Sequence, residues 1–115
     1  MSQFQDSVRT ALEAAFPGAR IREGVGVKWE GQQLFLDFWI PHLSLVFEAD
    51  GTQHDTYSEF FHGSASGFRL AQKRDARKEE WAVAHGQRLV RIPWRDRSAV
   101  SAEYIWLRIR EGQDG

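Results

Sequence analysis

Residues Leu34 to His54 read LFLDFWIPHLSLVFEADGTQH. Two apolar runs follow one another, and both carry acid where a buried strand should be apolar. Asp37 interrupts the first run between Leu36 and Phe38. Glu48 and Asp50 close the second, and Gly51 and then His54 follow. Burying a carboxylate among such neighbours is costly unless it is paired or bound to a cation. Acids and a histidine at the ends of two neighbouring strands point to an oxygen-rich divalent-metal site beside a proton-transfer group. That combination suits phosphodiester hydrolysis. Mg2+ needs only one or two carboxylates, with water and substrate phosphate filling the rest, so Asp37 and Glu48 suffice as ligands. Asp50 shares a strand face with Glu48 and is a further ligand, a holder of metal-bound water, or a turn former ahead of Gly51. His54 can exchange a proton near neutral pH and is the candidate general acid or base.

A second group follows in a charged block, Lys73-Arg74-Asp75-Ala76-Arg77-Lys78. Asp75 and Lys78 are three apart and share a helix face. The plain reading is a surface ion pair. The sharper one has this face covering the acids, with Asp75 orienting His54 or a water and Lys78 stabilising negative charge on a phosphate. Lys73, Arg74 and Arg77, and later Arg91, Arg95 and Arg97, are the residues expected along a DNA backbone.

These side chains need elements to position them. Phe4 to Phe16 has helical spacing of Phe4, Val8, Ala11, Leu12 and Ala15, with Ser2 as cap and Pro17-Gly18 as stop. Residues 19–30 alternate loosely as one irregular strand, and Gly31-Gln32 forms a hairpin turn into a strand from Leu34 to Ile40. Alternation puts Phe35, Asp37 and Trp39 on one face and Leu34, Leu36 and Phe38 on the other. Pro41-His42 turns the chain into a strand from Leu43 to Ala49, so Asp37 lies across from the Glu48 end. Residues 55–67 form a long polar and aromatic loop of the kind that often carries function. A helix from Phe68 to His85, capped by Ser64 or Ser66 and stopped by Gly86, leads to a strand from Gln87 to Pro93. That strand should be parallel to an earlier one because a helix precedes it. A last amphipathic helix opens at Ser98 or Ser101 and runs to Arg110, with Val100, Tyr104, Ile105, Leu107 and Ile109 as its apolar members. The order is α-β-β-β-α-β-α, an α/β fold with a mixed sheet flanked by helices.

At 115 residues the chain is expected to be a single domain. Its 42% hydrophobic and 13% aromatic content supports a real core. The absence of cysteine excludes disulfides and thiolate zinc sites, and fits a reducing, cytoplasmic setting. The sequence has no run of apolar residues long enough for a membrane span. The net charge of -1 hides an asymmetry. Residues 1–64 hold four Lys/Arg against nine Asp/Glu, and residues 65–115 hold eleven against seven. The second half can therefore present a basic face.

Asp37-Phe38-Trp39-Ile40-Pro41, then Glu48-Ala49-Asp50-Gly51-Thr52-Gln53-His54, then Arg74-Asp75-Ala76-Arg77-Lys78, then Gly86-Gln87-Arg88-Leu89-Val90-Arg91-Ile92 form an ordered series. The series resembles the small nucleases related to very-short-patch-repair endonucleases, within the PD-(D/E)xK, or restriction-endonuclease-like, superfamily. The resemblance spans about residues 34–94. It implies metal-dependent cutting of DNA, with Mg2+ as cofactor and Mn2+ as a substitute. Asp37 matches the metal-binding acid, Glu48 the (D/E) position, His54 the histidine and Asp75 the acid of the following helix. Asp50 stands where the motif has its lysine, and Lys78 is the replacement offered from the helix. The first-helix glutamate of relatives has only Gln5, Asp6 and Glu13 as counterparts, and the zinc-binding residues of the true repair enzymes are absent. The expected partner is DNA, met as a homodimer or with a partner protein that supplies target specificity. The competing expectations are a Holliday-junction resolvase or other structure-selective nuclease, and a non-catalytic nucleic-acid-binding module.

Overall fold

The computed structural model describes residues 2–51 and 65–113. Within them the chain forms helix α1 (Gln3–Ala15), strands β1 (Arg22–Trp29), β2 (Gln32–Ile40) and β3 (Leu45–Asp50), helix α2 (Ala65–Ala84), strand β4 (Arg88–Pro93) and helix α3 (Ala102–Gln113). The strands make one sheet in the order β1-β2-β3-β4. The first three run antiparallel and β4 lies parallel to β3, as a strand reached through a helix should. This is the mixed α/β arrangement expected from the order of elements.

Local chemistry sets the boundaries. Ser2 caps α1, its hydroxyl accepting from the Gln5 N–H at 3.0 Å. The β1–β2 turn falls one residue earlier than expected, on Glu30 at φ 51° and Gly31 at φ 77°. A two-residue hairpin turn of this hand needs positive φ at both central positions, and Gly31 fills the second without strain. The entry to β3 is also displaced. Pro41–Leu43 forms a 3-10 turn and Ser44 is left-handed at φ 56°, so pairing resumes at Leu45. Helix α2 starts before Phe68, which places Ser66 inside it rather than at its cap. It ends in a left-handed Gly86, where the Gln87 N–H closes back on the Ala82 carbonyl at 2.8 Å. Residues Trp94–Ala99 form a 3-10 stretch, so Ser98 does not open the last helix. Ser101 then caps α3, accepting from the Tyr104 N–H at 3.1 Å. Leu107, expected on the inner face of α3, is 48% exposed.

Two apolar layers sandwich the sheet. Helices α1 and α3 bury Phe4, Val8, Leu12, Ile105 and Ile109 against Phe38, Ile40, Phe47 and Ile92. On the other side, Trp81 and Ala82 of α2 meet Leu34, Leu36 and Val46, with Trp39 and Leu89 beside them. Each fully buried Phe or Ile contributes on the order of 1.5–3 kcal/mol by leaving water. The division corrects one expectation. Leu36 and Phe38 are two apart and should share a face, yet they pack into opposite layers. Between them is Asp37. Its position opposite Gly24 is missing from the β1–β2 register, and Gly24 takes φ 62°. The strand changes sides at the acid.

Candidate active site

Pairing of β2 with β3 ends at Phe38–Phe47, one step before Asp37 and Glu48. Past that step the two acids take over from the ladder. The Asp37 backbone N–H donates to Glu48 Oε2 at 2.7 Å, and the Ala49 N–H donates to Asp37 Oδ2 at 2.9 Å. Each carboxylate thus satisfies a backbone donor on the opposite strand, which is how acid becomes tolerable amid apolar neighbours. The other oxygen of Glu48 faces α2, where Lys78 Nζ donates to Oε1 at 2.7 Å. Glu48 is 2% exposed. Glu48 thus joins the Asp37 backbone on one side to the Lys78 side chain on the other, residues 11 and 30 positions away from it.

Electrostatically, Glu48 is under opposed influences. Burial, and next the neighbouring Asp37 charge, raise its pKa; Lys78 and the Asp37 N–H lower it. The raising effects prevail and push it up to about 7. The buried Glu48 and the half-buried Asp37 lie near enough for the Asp37 charge to act on Glu48.

The other predicted residues take different places. Asp50 is buried and turned to Arg91, whose Nη1 stands 3.3 Å from Oδ1. Among the described residues, no three His, Asp or Glu side chains gather as a metal-holding group, so the expected trio of Asp37, Glu48 and Asp50 does not converge. Strand alternation puts Asp50 on the same face as Glu48, but its carboxylate meets the Arg91 guanidinium, two positions before its own register partner Pro93. Asp75 also faces Arg91, through its carbonyl at 2.9 Å and its carboxylate at 3.8 Å. Arg91 itself, expected along a DNA backbone, is enclosed by Asp50, Asp75 and Glu79. Burial pulls its pKa down, but these acids outweigh that and keep it charged. Arg91 is the register partner of Glu48 on β4, and this parallel pairing was the signal that could have revealed its inward role.

Lys73 and Arg74 are exposed on α2 and Arg77 is half-buried. Arg95 and Arg97 are exposed in the 3-10 stretch beyond β4, with the Arg97 guanidinium 4.4 Å over the Trp94 ring. His54 lies outside the described residues. The first-helix acids stay apart from Glu48. Asp6 pairs with Arg9 at 3.1 Å, Glu13 is exposed, and α1 packs on the face opposite α2. No helix of the described residues is long and apolar enough to cross a membrane.

The donor set suits a hard cation. It offers two carboxylates, which is what Mg2+ asks of a protein when water and phosphate complete its shell. An ammonium beside them can meet negative charge on a bound phosphate.

The chain is 24% identical over 106 residues to an uncharacterized protein, 033L, of Invertebrate iridescent virus 3. The match covers 90% of this chain and 53% of that protein, so the chain spans about half the length of the relative it matches. No family model and no solved structure matches it.

Proposed function

We propose that this protein is a metal-dependent DNA endonuclease or nickase with a restriction-endonuclease-like fold, related to the very-short-patch-repair nucleases. The observation that carries the reading is the meeting of Asp37, Glu48 and Lys78 at the split between β2 and β3. An acid, a second acid and a lysine are the three side chains of the PD-(D/E)xK motif, here with the lysine supplied from α2. Three antiparallel strands followed by a helix and a parallel strand also fit that fold.

Asp37 and Glu48 would hold Mg2+, or Mn2+ in its place. The bound ion would polarise a phosphate oxygen and lower the pKa of a water. Glu48 and Asp37 bring the negative charge that binds the cation, and their hydrogen bonds to the facing strand fix their directions. Lys78, held at 2.7 Å from Glu48, would place its positive charge beside the phosphate. The exposed Lys73, Arg74, Arg95 and Arg97, with Arg77, supply positive charge for the DNA backbone. His54 is the proposed proton donor to the leaving oxygen.

Incubating the purified chain with supercoiled plasmid tests the reading. Nicked or linear product should form in Mg2+ and Mn2+ and disappear in excess EDTA. Product that persists undiminished in EDTA would exclude this mechanism.

A further inference from the structure

We propose that Arg91 is a positioning residue: it seats the turn of α2 that carries Lys78 and so delivers the ammonium to Glu48. The inference rests on the reading of Asp37, Glu48 and Lys78 as the reacting group. Its basis is the set of contacts around one guanidinium. Nε donates to Glu79 Oε1 at 3.2 Å, Nη1 faces Asp50 at 3.3 Å, and Nη2 donates to the Asp75 carbonyl at 2.9 Å. All three nitrogens are used, and they join β3, β4 and α2.

The location gives those contacts their meaning. Asp75, Lys78 and Glu79 lie within one turn and share a helix face. On the sheet, Glu48 and Arg91 are register partners on adjacent strands. Two strand neighbours therefore grip one helical turn: Glu48 through Lys78, and Arg91 through the residues on either side of Lys78. The buried apolar anchors of α2 among the described residues, Trp81 and Ala82, come after that turn. Among the described side chains, apolar packing holds the helix beyond Lys78, and the guanidinium contacts the turn that carries Lys78. A planar fork with fixed donor directions suits this role, and a lysine there would satisfy fewer of the acceptors. Lys78 does not depend on its own rotamer alone to reach a buried acid. Its backbone is held at the required height by a neighbour that need not touch substrate.

Lysine reactivity measures this without reference to cleavage. The chain has three lysines, at positions 28, 73 and 78. Lys78 is 15% exposed in its pair with Glu48, whereas Lys73 is exposed and serves as the internal reference. Brief acylation with an amine-reactive acetyl ester, read by peptide mass spectrometry, gives the ratio of Lys78 to Lys73 labelling. In Arg91→Met the ratio should rise severalfold, and Arg91→Lys should recover part of the protection. An Ile105→Ala variant, weakened in the opposite layer, controls for general destabilisation and should leave the ratio at the wild-type value. If Arg91→Met fails to fold, Asp50→Ala and Glu79→Ala each remove one acceptor and should each raise the ratio in part. An unchanged ratio in the folded variants, or an equal rise in Ile105→Ala, overturns the proposal. Plasmid cleavage is scored separately: an inactive wild type would sink the nuclease reading, while the labelling ratio still judges Arg91.

Discussion

Glu48 is the residue on which the proposed chemistry turns. Its proton is held more tightly in the folded protein than in the unfolded chain, because its pKa is raised to about 7. In metal-free protein, therefore, the stability owed to this group is least at pH above about 7, and rises as pH falls from there towards the ordinary carboxylate range. A cation competes with that proton. Stabilisation by Mg2+ should accordingly be largest above that pH and shrink below it. Melting temperatures with and without Mg2+ on both sides of the midpoint check this, and a Mg2+ shift independent of pH would contradict it. Much of the residue-level site was legible in the chain. Asp37, Glu48 and Lys78 stand out because each is a charge in an apolar or covering segment. The fate of Asp50 was not legible, since strand alternation specifies a face but not which of two neighbouring cations or acids a side chain will meet. The place of Arg91 is hidden for the same reason: as an isolated arginine it resembles a surface cation, and only the fold surrounds it with Asp50, Asp75 and Glu79.

At the scale of elements, helix periodicity and the order of strands could be read directly, because long amphipathic segments bury one stripe and a helix between strands favours a parallel return. Turn positions slipped by a residue or two where left-handed Glu30 and Ser44 occur, since these conformations are uncommon outside glycine. The side-switch of β2 at Asp37 was invisible to simple alternation. Gly24 takes part in it through its positive φ, and a Cβ built there meets nothing within 4 Å. Gly24→Ala should therefore cost only the conformational term, about 1–2 kcal/mol, measurable by urea denaturation. A variant as stable as wild type would mean that the switch does not depend on Gly24.

Across the whole molecule, the acids of the site lie within a chain whose second half is positive. Lys73, Arg74 and Arg77 of α2 follow the same helix that delivers Lys78. If they grip a DNA backbone, replacing all three with alanine should lower the slope of log affinity against log salt by roughly 0.9 for each lost contact. Anisotropy with labelled DNA in Ca2+, which accepts the same oxygen ligands but is less suited to activating water, reads this directly. An unchanged slope would remove this face from the DNA path. In the proposed mechanism Asp37 brings a cation to the split between β2 and β3, and that cation is needed to cut DNA. Asp37→Asn keeps the shape of the side chain and an oxygen able to accept from the Ala49 N–H, while removing the charge. The single-turnover rate of plasmid cleavage in Mg2+ should fall to background in this variant, with its circular dichroism spectrum that of wild type; cleavage near the wild-type rate by the folded variant would contradict the claim.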